Sequence, residues 1–235
     1  MTGFGALARS AGIASGGAVL WLLYFDLKDR LAPEPRRLIV IAFGLGALAT
    51  LPALAAYRLA PVLGLPADPG VDPGGALRYC LLTVGPVEEF AKFLGALVVW
   101  RWKAFDEWID GVLYVAALSI GFATAENLVY ASFLGPVEQL ARALASPLVH
   151  ALFAAPVGWA LGWARVRRPP PALAGLAVGV ALALASLLHG LYDFALIGLG
   201  APLLSAGLVL ASWLGLLVAL RRITAPGGRP ARARR

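Results

Sequence analysis

Long apolar stretches alternate with short polar breaks along the whole chain. Neither the alternation of a half-buried strand nor the one-sided stripe of a soluble helix recurs; whole stretches are apolar on every side, as expected of helices in lipid. A spanning helix needs roughly 20 mostly apolar residues. Seven stretches meet that length, at about 4–26, 38–60, 78–100, 109–134, 143–165, 172–197 and 201–220. Pro33, Pro35, Pro66, Pro69, Pro73, Gly74 and Gly75 punctuate the first two connections, and Pro169, Pro170 and Pro171 close the fifth stretch. Glycines inside the stretches, such as Gly158, Gly162, Gly175 and Gly179, read as packing devices that let helix backbones approach in lipid. The pattern predicts an all-α, polytopic membrane bundle of about seven helices. Residues 1–220 form one transmembrane domain and 221–235 a basic tail. The first stretch lacks a small-residue cleavage site followed by a soluble domain, so it reads as a retained helix.

Composition strengthens this reading. Of 235 residues, 60% are hydrophobic and only 14% charged, against about 25% in soluble domains. Mean hydropathy is +0.79. The single cysteine, Cys80, excludes a disulfide scaffold. The net charge of +7 invites a nucleic-acid reading, but the positions of the charges explain it otherwise. Lys28, Arg30, Arg36 and Arg37 lie in the first loop, Arg101 and Lys103 in the third, and Arg165, Arg167 and Arg168 in the fifth. Arg221, Arg222, Arg229, Arg232, Arg234 and Arg235 follow the last stretch. Only Arg9, Arg58, Arg78 and Arg142 fall on the other side. By the positive-inside rule, the N-terminus faces outward and the tail the cytoplasm, in the plasma or inner membrane. No nucleic-acid partner is required; the bilayer is the surrounding partner, and Trp21, Trp100, Trp102, Trp108 and Tyr130 read as interface residues.

Ionisable residues at membrane depth are costly and are functional candidates by default. Glu88, Glu89, Lys92, Glu126, His150, His189 and Asp193 stand there, including both histidines of the chain. At 1.5 Å per residue Glu88, Glu126, His150, His189 and Asp193 fall about 6–15 Å below the outer edge on four different stretches, forming one layer. Glu88 and Lys92 are spaced i, i+4 and are expected to pair, whereas Glu89 turns to another neighbour. His189 and Asp193 share the same spacing, which suits one metal ion or a carboxylate that orients an imidazole. Four carboxylates against one lysine must take up protons or bind a cation. Two histidines with carboxylates suit zinc. A proton- or ion-coupled transporter is the competing reading, but residues 94–99 and 173–185 are almost wholly apolar and offer no polar path onward.

The HExxH and GxSxG signatures are absent, and Tyr192-Asp193 lacks the second aspartate motif of an aspartyl intramembrane protease. The order Glu88-Glu89-x-x-Lys92, Phe122-x-x-x-Glu126-Asn127, His150 and His189-x-x-x-Asp193 resembles the PrsW family of intramembrane proteases. So does the segment holding Tyr24-Phe25-Asp26, Lys28-Asp29-Arg30 and Pro33-Glu34-Pro35-Arg36-Arg37, although Ala32 stands where the family carries an acidic residue. The related CAAX prenyl endopeptidases carry EExxxR and FxxxH; Lys92 and Glu126 depart from both. The resemblance implies a metalloendopeptidase that cleaves membrane-anchored proteins, with an anti-sigma factor as the site-1 substrate in bacteria. On that footing, Glu126, His150, His189 and Asp193 are the expected ligands of a divalent metal, zinc by its donor chemistry, with Glu88 or Glu89 as the base. Lys92 then neutralises, and Asn127 is placed to donate to the oxyanion.

Overall fold

The computed structural model describes residues 3–27 and 33–224. Its regular structure is helical, with no strand among the described residues. The helices are α1 (Gly3–Asp26), α2 (Arg36–Leu59), α3 (Pro73–Tyr79), α4 (Gly85–Val99), α5 (Trp108–Tyr130), α6 (Pro136–Arg167), α7 (Pro171–Asp193) and α8 (Pro202–Thr224). A π-helical turn, Cys80–Val84, fuses α3 to α4, and a second, Phe194–Gly198, extends α7. Counted as continuous rods, these are the seven expected segments.

Five rods, those beginning at Arg36, Trp108, Pro136, Pro171 and Pro202, are long and apolar enough to cross a membrane. The rod of α3 and α4 differs from these five in its charge: it carries Glu88, Glu89 and Lys92. It begins earlier than its apolar stretch, because Asp72 accepts from the Gly75 backbone N–H at 3.0 Å and Pro73 opens the helix. The fifth segment is longer than expected: α6 runs 32 residues and contains Pro147 and Pro156. Its first two turns hold Glu138, Gln139 and Arg142, so an apolar count starts too late. α8 runs on through residues 221–224. The tail arginines Arg229, Arg232, Arg234 and Arg235, and loop residues Lys28, Asp29, Arg30 and Ala32, lie outside the described residues.

α5 is the central post, buried along most of its length and packed by α1, α2, α4 and α6. Glycines set the closest approaches. A Cβ on Gly46 would fall 1.7 Å from the Leu118 carbonyl oxygen, and one on Gly121 would fall 1.9 Å from that of Phe43, so α2 and α5 meet backbone to backbone. α4 and α7 meet likewise where Gly85 faces the Ser186 carbonyl and Gly190 that of Cys80. In lipid, where apolar side chains gain little by leaving the solvent, such contact holds helices together. Leucines and valines accordingly cover the outside, as at Leu48, Leu51, Leu176 and Val180.

The end of the bundle far from the ionisable layer is tied by polar contacts. Asp110 accepts from the backbone N–H of Asp106 (2.8 Å) and Glu107 (2.5 Å), capping α5. Arg165 donates to the carbonyls of Phe105 and Trp102, and the Tyr114 hydroxyl donates to Glu34. The expected interface tryptophans are also helix staples: Trp21, Trp100 and Trp108 donate to the carbonyls of Leu144, Leu161 and Trp159.

Candidate active site

Four rods carry the ionisable layer to one place. α4 contributes Glu88, Glu89 and Lys92, α5 Glu126 and Asn127, α6 His150, and α7 His189 and Asp193. Glu88, His150 and His189 are buried, at 5%, 4% and 3% exposure. Glu126 and Asp193, with side chains 19% exposed, form the more open rim.

The pairing differs from the expectation at α4. Lys92 pairs with Glu89, three residues back, rather than with Glu88. The cause is the neighbouring helix: Glu88 Oε1 accepts from the Tyr57 hydroxyl of α2 at 2.7 Å, leaving Glu89 to face Lys92 and α7. Glu89 Oε1 also meets His189 Nδ1 at 2.8 Å. An ionised carboxylate only accepts, so Nδ1 is the ring nitrogen that donates here. The His189 Nε2 lies 3.7 Å from Glu88 Oε2 and 3.5 Å from Asp193 Oδ2. His150 Nδ1 lies 3.2 Å from Lys92 Nζ, and its Nε2 lies 3.2 Å from Glu126 Oε2. The two imidazoles pack edge to face, with centroids 4.9 Å apart.

Two contributors are invisible to a search for ionisable residues in the apolar interior. Tyr57 sits in the run 53–60, where an aromatic reads as one more apolar residue. Arg142 falls among the outer-loop charges by its sequence position, yet its Nη2 lies 3.2 Å from Glu126 Oε1 and its Nε donates to Asn127 Oδ1 at 3.1 Å. Its position eight residues before His150, on the same side of α6, is the available signal. Asn127 also donates from Nδ2 to the Arg142 carbonyl at 3.4 Å, so its amide is turned to Arg142.

The sequence profile of the PrsW family intramembrane metalloproteases matches residues 34–220. The chain belongs to that family. Membership decides between hydrolase and transporter: this is an intramembrane peptide hydrolase whose substrates are membrane-anchored proteins. Among its relatives, the protease PrsW of Bacillus subtilis is 35% identical over 191 residues, covering 81% of this chain and 83% of the relative. That of Geobacillus kaustophilus is 34% identical over 191 residues, covering 80% and 79%. That of Oceanobacillus iheyensis is 32% identical over 216 residues, covering 91% and 94%. No solved structure matches the chain.

The metal that a PrsW metalloprotease implies fits these residues. Glu88, His150 and His189 each offer a ligand atom, all within 4.8 Å of one another. One carboxylate and two imidazoles make a donor set suited to a divalent ion. Glu88 Oε2 is buried without a hydrogen-bond partner among the described residues, the state expected of an oxygen reserved for a ligand. Charge agrees: four carboxylates stand against Lys92 and Arg142, so a dication closes the balance. Both nitrogens of His150 face charged neighbours, and an ion drawing on this imidazole competes with Lys92 or Glu126.

Proposed function

We propose that Glu88, His150 and His189 hold a zinc ion with which the enzyme hydrolyses a peptide bond in a membrane-anchored substrate. The observation that carries this reading is the buried Glu–His–His set with the unpartnered Glu88 oxygen. When bound, zinc supplies Lewis-acid polarisation and a water of lowered pKa. The chain's own groups do the rest. Glu89 fixes the tautomer and orientation of His189, as carboxylates do behind metal-bound imidazoles. Lys92 neutralises Glu89. Glu126, at the open rim with Oε2 3.2 Å from His150 Nε2, accepts the proton of the attacking water and returns it to the leaving amine. Arg142 holds Glu126 from the other side, and Asn127 holds Arg142. Asp193 flanks His189 as a further rim carboxylate.

On this reading, Glu88 and Glu126 exchange the roles their sequence positions suggested, because Glu88 lies deeper and nearer to His189. The substrate we favour is an anti-sigma factor with one membrane segment. The protein lies in the plasma membrane with its N-terminus outside, residues 1–220 acting as one protease unit and 221–235 as a basic cytoplasmic stretch. Arg36, Arg37, Arg101, Lys103, Arg165, Arg167 and Arg168, gathered at the end of the bundle opposite the site, support that orientation.

Elemental analysis of the purified protein, paired with cleavage of a single-span reporter, tests the assignment. About one zinc per chain is expected, with loss of cleavage on chelation and recovery on zinc addition. A metal-free preparation with full activity overturns it.

A further inference from the structure

Glu88 reaches its place from α4, but the group that holds it comes from α2. That helix is otherwise apolar where it faces the bundle. Its Thr50 hydroxyl bonds back to the Ala47 carbonyl of the same helix, and Arg58 is exposed. Tyr57 alone extends a polar atom from α2 to a described residue of the site. The bond is not needed to dock the helix, because Gly46 and Gly121 already bring α2 against α5 with backbone contacts.

The bond makes the two oxygens of Glu88 unequal. Oε1 accepts from Tyr57 at 2.7 Å. Oε2 is buried without a hydrogen-bond partner among the described residues and lies 3.7 Å from His189 Nε2. A free carboxylate rotates about its terminal bond and presents either oxygen or both. A phenol fixed on a neighbouring helix removes that freedom. Glu89 does the same for His189 by holding Nδ1.

We propose that Tyr57 is a positioning residue of the metal site: its hydroxyl clamps Glu88 Oε1 so that Oε2 is the oxygen offered to the metal. The proposal rests on Glu88 being a metal donor. It assigns to α2 a part in the chemistry that none of the acidic or histidine motifs contains. Partners behind metal ligands commonly change affinity or activity by about 10–100-fold when removed.

The test uses the full-length protein in nanodiscs, with Zn2+ affinity measured by competition with a chromophoric chelator. Tyr57→Phe, which removes one oxygen and keeps the ring, is expected to weaken Zn2+ binding by about 10–100-fold and to lower kcat with KM nearly unchanged. Thr50→Val, which removes a hydroxyl elsewhere on α2, should bind Zn2+ as the parent does. In a Glu88→Gln background, adding Tyr57→Phe should weaken Zn2+ binding no further, because the oxygen it positions is already altered. A structural role for Tyr57 would instead add its effect in both backgrounds. Parental Zn2+ affinity in Tyr57→Phe, or full additivity with Glu88→Gln, overturns the proposal. Should Glu88→Gln and His189→Ala themselves bind Zn2+ like the parent, the donor assignment fails instead. Comparison of these variants separates the two failures.

Discussion

At the scale of single residues, the site is a set of paired obligations. Glu89 serves Lys92 and His189 together. Removing one member of a buried ion pair leaves an uncompensated charge and costs about 3–5 kcal/mol, whereas removing both is far milder. Lys92→Met should therefore lower the thermal midpoint markedly in a melting experiment. Lys92→Met with Glu89→Gln should recover most of the stability yet stay inactive, since His189 loses the charged carboxylate that orients it and raises its basicity. Equal melting of the single and double variants would show that the pair does not act as a unit. Arg142 belongs to the same logic. Arg142→Gln should reduce cleavage about tenfold or more by freeing Glu126 and Asn127, with bound metal retained, as judged by elemental analysis. Loss of the metal as well would place Glu126 among the ligands.

At the scale of elements, α4 and α7 are spaced by glycine rather than by side chains. A Cβ on Gly85 would stand 2.2 Å from the Ser186 carbonyl oxygen, and one on Gly190 would stand 2.6 Å from that of Cys80. These contacts lie within one turn of Glu88 and His189, so Gly85→Ala should push the two helices apart and disturb the spacing of the proposed donors. A misplacement of about 1 Å at a reacting centre can lower the rate by about 10²-fold. Gly179→Ala, on the same α7 but facing open space, should cleave normally. Cleavage assays on matched expression levels read the difference. The layer itself was legible in the sequence, since charges in an apolar stretch are conspicuous and their depths can be counted. The partner of each charge was not. Helical spacing allows Lys92 to reach either glutamate, and only the arrival of Tyr57 from α2 settles which one it takes. Helix ends were obscured for a related reason: the first turns of α6 are polar because Glu138 and Arg142 are used there, and polarity reads as loop.

At the scale of the whole molecule, the described residues present an apolar exterior, a charged end and a buried acidic cluster. Ligand binding to the folded state alone stabilises it by about 2.7 kcal/mol at a hundredfold excess over Kd. Chelation should lower the melting midpoint of the parent by several degrees and leave His189→Ala unmoved; equal shifts in both would place the metal elsewhere. Reporter fusions test the orientation: a cytoplasm-active reporter should work after α8 and fail before α1, and the reverse pattern would invert the bundle. The order of the helices along the chain has a consequence for biogenesis. His189 follows Glu89 by 100 residues, and every rod from α4 to α7 supplies part of the pocket. A nascent chain emerging from the ribosome therefore inserts α1 to α6 without assembling a competent centre. With the proposed ligand set, the last donor arrives with α7, which would keep the nascent protease inert towards its neighbours in the translocon until synthesis is nearly complete.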